Sequence, residues 1–370
     1  MKILITGGHL TPALAVIDRI IASSQNKDIS FVFVGRKYSL ESEQTYSFEY
    51  KEITKRNIPF ISLHAGRLTR FLSYKSIRSI LRIPLGFFHA LFVLRQESPD
   101  IILSFGGYLA LPIAFAGWLY RKPIFTHEQT MHPGLSNRII AYFSKKIFYS
   151  FPETKKFFPS GRRTILSGNP IRKTVFEVRK KPFEIQKTKP VIYITGGSLG
   201  SHGINNHIRM ILPNLLRDFI VIHQTGNVKE FHDYDRLVRY RRTLQEDLRN
   251  RYYPVEHFFD EEIGYIYSIA DIVVSRSGAN TFFELIQLRK PAVLIPLPWS
   301  ANKEQQLHGN FFAKNGLGEV FEQHEQSTKL LEFIQKIASR IDTYKKHFLK
   351  LPFQIRQDAT DTIIKEILNI

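Results

Sequence analysis

Two short stretches of this chain carry residue types that hold phosphorylated ligands and move protons. Ile3-Leu4-Ile5-Thr6 runs into Gly7-Gly8-His9, and Val191-Ile192-Tyr193-Ile194-Thr195 runs into Gly196-Gly197-Ser198-Leu199-Gly200. Glycine lets a backbone approach an anion closely, and a helix after such a turn offers unpaired N–H groups at the positive end of its dipole. Neither stretch is G-x-G-x-x-G and neither closes with Lys-Ser/Thr, so hydride transfer on a dinucleotide and ATP hydrolysis both lose support. His9 adds a group that titrates near neutral pH: at the mouth of a strand it takes a proton from a substrate, caps the following helix or holds a phosphate. Asp233-Tyr234-Asp235, a pattern that metal-dependent enzymes use, sits among alternating charges and reads as a solvated helix surface. No clustered His/Asp/Glu set calls for a metal, and the absence of cysteine excludes thiol chemistry and disulfides, leaving the cytoplasm as the default compartment.

These turns need strands and helices to hold them. Apolar runs alternate with helical patterns over residues 2–6, 29–34, 101–105, 124–127, 146–149, 191–195, 219–224, 271–275 and 292–296. Continuous apolar strands are covered on both faces, which predicts parallel sheets with helices on each side, an α/β class of two doubly wound, Rossmann-like domains. A length of 370 residues agrees with two domains. The basic, proline-punctuated stretch 172–189 reads as a linker, giving domains 1–171 and 190–349, with a C-terminal helix near 350–370 returning to the first. Ile101 to Tyr120 has no formal charge, but Gly106-Gly107 and Pro112 divide it into a buried strand and a core helix, not a membrane span. The opening residues before Gly7 form no secretion signal.

Taken together, the motifs resemble the MurG family, inverting N-acetylglucosaminyltransferases of the GT-B fold. The resemblance runs nearly end to end, through Gly7 to Ala15, Gly106-Gly107-Tyr108, His127-Glu128-Gln129, Gly168 to Arg172, Gly196 to Gly200, Ser275 to Glu284 and Glu304-Gln305-Gln306. It implies transfer of N-acetylglucosamine from UDP-N-acetylglucosamine to a polyprenyl-diphosphate-linked N-acetylmuramoyl-peptide, the step from lipid I to lipid II in peptidoglycan synthesis, with no cofactor or metal. On that resemblance His9 is the base that deprotonates the attacking sugar hydroxyl, and Glu128 a fallback base or a residue that orients the acceptor. Arg172, Gly196, Gly197, Ser198, Leu199, Gly200 and Asn205 would surround the donor diphosphate, and Glu284, after Ser277-Gly278-Ala279, would accept from the ribose hydroxyls. Phe258 and Phe259 match the uracil segment, and Gln305 and Gln306 would read the sugar. Gly7, Gly8, Gly106, Gly107, Tyr108, Gln129 and Asn137 fall to the acceptor. The chain departs from the family in a shorter first glycine turn and in Thr130 where the family has an asparagine.

Charge points to a surface. The formal net charge is +19, most of it in the first half, and no acidic residue occurs from Ile53 to Gln96. There Arg67, Arg70, Arg78 and Arg82 bracket Phe71, Phe87 and Phe88, which suggests a patch that lies on an anionic inner leaflet and a peripheral protein at the cytoplasmic face of the cell membrane. No recognition-helix, zinc-finger or RNP-like pattern supports nucleic-acid binding. Two alternatives remain from sequence: a GT-B transferase with another lipid acceptor, and a basic nucleotide-binding module without turnover.

Overall fold

The computed structural model describes residues 1–23, 28–38, 46–63, 66, 83–197, 199–226, 230–300, 303–351 and 359–369. The chain divides after Arg172 into two compact units, the C-terminal helix Thr360–Leu368 belonging to the first. The first unit is built on a sheet of β1 (Lys2–Thr6), β2 (Ser30–Gly35), β3 (Phe60–Ser62), β4 (Ile101–Ser104), β5 (Ile124–Glu128), β6 (Lys146–Tyr149) and β7 (Arg163–Leu166), in the order β3-β2-β1-β4-β5-β6-β7. The second has β8 (Val191–Thr195), β9 (Ile220–Gln224), β10 (Tyr252–Val255), β11 (Ile272–Ser275), β12 (Ala292–Leu294) and β13 (Gly318–Val320), in the order β10-β9-β8-β11-β12-β13. The strand pairs are parallel. In each sheet the order reverses beside the first strand, between β1 and β4 and between β8 and β11, and a ligand crevice opens beyond the C-terminal ends of strands at such a point.

Side-chain alternation distributes the core. Ile3 and Ile5 of β1 face the helices Leu10–Ala22 and Thr360–Leu368, whereas Leu4 faces the layer of Ile83–Glu97 and Ala110–Leu119. The helix Leu10–Ala22 has Pro12 in its first turn and buries Ala13, Leu14, Val16, Ile17 and Ile20, a stripe at helical spacing. Each of the larger ones, Leu14, Val16, Ile17 and Ile20, stabilises the fold by about 1.5–3 kcal/mol when fully buried. In the second unit Ser201 caps the helix His202–Asp218, its hydroxyl accepting from the Ile204 N–H at 3.4 Å, and Ile204, Ile208, Ile211 and Leu215 pack on the sheet.

Several expectations change. The segment 173–189 is not a free linker: it folds onto the second unit, where the Lys180 N–H donates to the Glu261 carbonyl at 2.9 Å and Phe183 stacks on Tyr253 at 5.1 Å. Gly264 is needed there, because a Cβ would come within 2.0 Å of the Glu177 carbonyl oxygen. Asp233 is not solvated either. It opens the helix Asp233–Thr243 and accepts from Asn205 Nδ2 at 2.8 Å and from His202 Nδ1 at 2.9 Å, while Asp235 stays exposed. The apolar stretch from Ile101 is β4 followed by the helix Ala110–Leu119, and among the described residues no helix is long and apolar enough to cross a membrane.

Candidate active-site residues in the two units

In the first unit the glycine turn after β1 lies against the one after β4. The Gly8 N–H donates to the Gly106 carbonyl at 2.9 Å, and a Cβ on Gly107, whose φ is +85°, would come within 2.8 Å of the Gly8 nitrogen. Only glycines allow this approach. His9 follows, at the start of the helix Leu10–Ala22, and makes no side-chain cap there, which removes the capping role. Its Nδ1 instead stands 2.6 Å from Nε2 of Gln129. An amide nitrogen only donates, so in this orientation Nδ1 accepts and the neutral ring keeps its proton on Nε2. Turned over, the amide offers its oxygen, Nδ1 carries the proton and Nε2 becomes the free lone pair. The orientation of Gln129 thus selects between His9 as donor and His9 as base. Burial holds the His9 pKa below its usual value, against the opposing pull of the Glu128 charge, so the ring is neutral at pH 7.

Glu128 is buried and saturated. Oε1 accepts from the Thr130 N–H and the Thr130 hydroxyl, both at 2.8 Å, and Oε2 accepts from Asn137 Nδ2 at 2.8 Å. Both oxygens are already engaged by these three donors, so we correct the reading of Glu128 as a reserve base: it fixes the end of β5 and supplies charge near His9. Asn137 is likewise a brace and not an acceptor contact, since it also accepts from Thr126 Oγ1 at 3.1 Å and donates to the His127 carbonyl at 3.2 Å. His127 is buried, 3.0 Å through Nε2 from the Gly168 carbonyl, and desolvation takes its pKa down to about 4. Thr130, where the family pattern has an amide, is therefore part of the support for Glu128. Tyr108 is half-buried against the core.

The second unit repeats the strand-end turn. Thr195 Oγ1 accepts from the Gly197 N–H at 3.0 Å, and Gln224 Nε2 donates to the Gly197 carbonyl at 3.0 Å. Gly200, at φ +81°, passes so near β9 that a Cβ would meet the Thr225 carbonyl at 2.1 Å. Ser198 lies outside the described residues, and Leu199 is exposed. A residue that the sequence reading passed over stands beside this turn. Arg276 donates to Ser201 Oγ at 2.7 Å, to Gln323 Oε1 at 2.6 Å and to the Ile295 carbonyl at 3.1 Å, and it has no carboxylate partner among the described residues. Burial lowers its pKa to about 10, which still leaves a cation at neutral pH. Its position in Ser275-Arg276-Ser277, directly after β11, was the available signal.

Glu284, on the helix Ala279–Gln287, is buried, and Tyr267 donates its hydroxyl to Oε2 at 2.9 Å. Tyr267 had no sequence signal; it reaches Glu284 from the helix Asp260–Ile269. Below Gly278 and Ala279, Ser277 donates to the Gln305 carbonyl at 2.7 Å, and Gln305 Oε1 accepts from the Leu297 N–H at 2.9 Å. Gln306 donates to Asn310 and Glu322. Two donor-site expectations are corrected. Asn205 is buried with its amide held by Thr225, Asp233 and His223, so its side chain orders the second turn from behind. Phe258 is buried among Phe183 and Tyr193 and offers no ring face, whereas Phe259 is 64% exposed. Arg172 is half-buried where the first unit ends. Of the expected membrane patch, Arg67, Arg70, Phe71, Arg78 and Arg82 lie outside the described residues; Phe87 packs edge-on against Phe115, and Phe88 is exposed.

Comparison with known proteins agrees across the chain. Residues 6–149 match the N-terminal domain of glycosyltransferase family 28 and residues 191–360 its C-terminal domain. A Bacillus cereus protein named UDP-N-acetylglucosamine--N-acetylmuramyl-(pentapeptide) pyrophosphoryl-undecaprenol N-acetylglucosamine transferase 2 is 33% identical over 99% of both chains. A Clostridium perfringens protein named for the same transferase is 34% identical over 89% of this chain and 88% of its own. Among solved structures, MurG of Acinetobacter baumannii superposes with a TM-score of 0.69 over 100% of this chain and 99% of that one, at 21% identity. A UDP-GlcNAc 2-epimerase from Neisseria meningitidis reaches 0.64 over the whole of both chains at 16% identity. At those identities the structures speak to the fold alone, two Rossmann-like domains of the GT-B type.

Proposed function

The chain belongs to glycosyltransferase family 28, and we propose that it transfers N-acetylglucosamine from UDP-N-acetylglucosamine to a polyprenyl-diphosphate-linked N-acetylmuramoyl-peptide, forming lipid II from lipid I. It is an N-acetylglucosaminyltransferase of peptidoglycan synthesis. The observation that carries the residue assignments is the pair of strand-end turns, one leading into a neutral histidine and the other flanked by an arginine with no carboxylate partner among the described residues. In the inverting reaction the acceptor hydroxyl oxygen forms a bond to the anomeric carbon as the bond from that carbon to the UDP oxygen breaks. With the Gln129 amide turned over, so that its carbonyl accepts from Nδ1–H, His9 takes the hydroxyl proton on Nε2. The departing diphosphate gathers negative charge, and Arg276, beside the Gly196–Gly200 turn, stabilises it in place, without a metal. Glu284, oriented by Tyr267, accepts from the ribose hydroxyls, and Gln305 and Gln306 read the sugar.

The acceptor is a membrane lipid, and the helix Ile83–Glu97 supports a peripheral position on the inner leaflet. Leu85, Phe88 and Phe92 recur along one side of that helix and are 63%, 71% and 63% exposed. Exposed large apolar side chains grouped on one face mark an interaction surface, and anionic headgroups attract the basic first half of the chain. The decisive experiment measures UDP release from UDP-N-acetylglucosamine with and without polyprenyl-linked muramoyl-peptide, in excess chelator. Release only with that acceptor, and with chelator present, is the expected result. Release with a different glycolipid only, or a strict need for added metal, would replace this reading.

A further inference from the structure

The second unit has a cationic concavity at the opposite end of its sheet from the glycine turn. The turn follows the C-terminal end of β8, whereas this cavity lies among the segments that enter β8, β11 and β12. A space of about 510 Å³ is walled by Leu288, Arg289, Lys290, Asp342, Lys345 and Lys346 with Leu349, and an adjoining one of about 340 Å³ shares Lys345 and adds Lys187, Lys189 and Asp271. Six cations thus meet two carboxylates. Asp271 is already committed, one oxygen 2.9 Å from Lys187 Nζ and the other accepting from the Val191 N–H at 2.8 Å. Arg289, Lys290, Lys345 and Lys346 make no ion pair among the described residues. The lysines repel one another: burial, with the charges of Lys345 and Lys187 adding to it, takes the Lys290 pKa down to about 8 despite Asp271. Lys290 is held in place by donating to the Ala270 carbonyl at 2.7 Å, and Arg289 beside it adopts a left-handed φ of +51°, a conformation that a side chain with Cβ rarely takes.

Crowded like charges around a cavity of ligand size are unfavourable until a matching anion enters, and they occur where a structure is made for one. We propose that this cavity binds a phosphate-bearing ligand of two or more negative charges, with Lys290, Lys345, Lys346 and Arg289 as its cationic walls. Leu288 and Leu349 give it an apolar side, so the phosphates belong either to a soluble oligophosphate or to a phospholipid headgroup. Being remote from the glycine turn, the site takes a ligand other than the donor.

The test uses the whole protein saturated with UDP, so that the glycine turn is occupied. Tripolyphosphate is titrated by calorimetry, and vesicles containing cardiolipin, whose headgroup carries two phosphates, are used in a parallel sedimentation assay. One tripolyphosphate per chain is expected, with affinity reduced tenfold or more in Lys345→Ala/Lys346→Ala and unchanged in Arg236→Ala/Arg239→Ala, which removes two cations from the helix Asp233–Thr243. Vesicle binding lost only in the first pair, without tripolyphosphate binding, assigns the phosphates to a headgroup. Absence of both, or equal loss in the two pairs, overturns the proposal. UDP binding is measured beforehand, so a protein that fails to take UDP counts against the transferase reading and not against this site.

Discussion

At His9 the chemistry rests on one proton, and its location rests on Gln129. His9→Ala is expected to lower kcat by about 100-fold or more, the usual worth of a general base, while UDP affinity stays near that of the parent. Unchanged turnover would remove His9 from the mechanism. Because burial holds the His9 pKa down, the acid limb of the kcat profile should lie below pH 6.5, the ordinary value for a histidine. Gln129→Glu places a carboxylate on Nδ1, favours the protonated ring and should shift that limb upward; a limb that does not move shows that Gln129 does not position the base. In the other unit, Glu284→Ala should weaken UDP binding by about 1–3 kcal/mol through lost charge-assisted hydrogen bonds. The loss should shrink for 2′-deoxy-UDP, and Tyr267→Phe should give a smaller loss of the same pattern, since it frees the carboxylate without removing it. Equal losses for both nucleotides would take Glu284 off the ribose.

Among the elements, the helix Ile83–Glu97 divides its work between two faces. Ala90, Val93 and Leu94 are buried against the sheet, while Leu85, Phe88 and Phe92 face outward. Phe88→Ser/Phe92→Ser removes apolar area from the outer face alone, so the fold should keep its stability and the protein should lose affinity for anionic vesicles. Activity on a detergent-soluble acceptor analogue should survive. Vesicle binding equal to that of the parent returns these residues to an ordinary surface. The C-terminal helix makes the contrary case, being held by packing. Ile363→Ala should cost about 2–5 kcal/mol because Ile363 is buried against the helix Leu10–Ala22, whereas Asp361→Ala, which breaks an exposed pair with Arg19, should cost under about 1 kcal/mol. Urea unfolding of the two variants separates them, and equal effects would show that the ion pair, not the packing, docks this helix.

For the molecule as a whole, three histidines that are fully buried among the described residues contribute to the response to acid. His127 and His308 have pKa values lowered to about 4 and His223 to about 3, all by desolvation. Unfolding returns each to an ordinary value near 6.5, so between pH 6.5 and 4 the unfolded chain binds more protons than the folded one, and stability falls as pH falls. Melting temperatures at pH 7, 6 and 5 should descend; a flat series would mean that these rings are protonated in the fold. What the sequence by itself determined is the pair of doubly wound units and their two turns. Central strands covered on both faces must read as unbroken apolar runs, and Gly7, Gly107 and Gly200 stand where no Cβ fits. The strands Phe60–Ser62, Arg163–Leu166, Tyr252–Val255 and Gly318–Val320 escaped that reading because they are the four sheet edges, half covered and without such runs. The roles of Glu128, Asn205, Phe258, Tyr267 and Arg276 were settled only by tertiary structure. A side chain's availability depends on the partners it meets, and Gln129 meets His9 from 120 residues away, a pairing made by sheet order and absent from any local pattern.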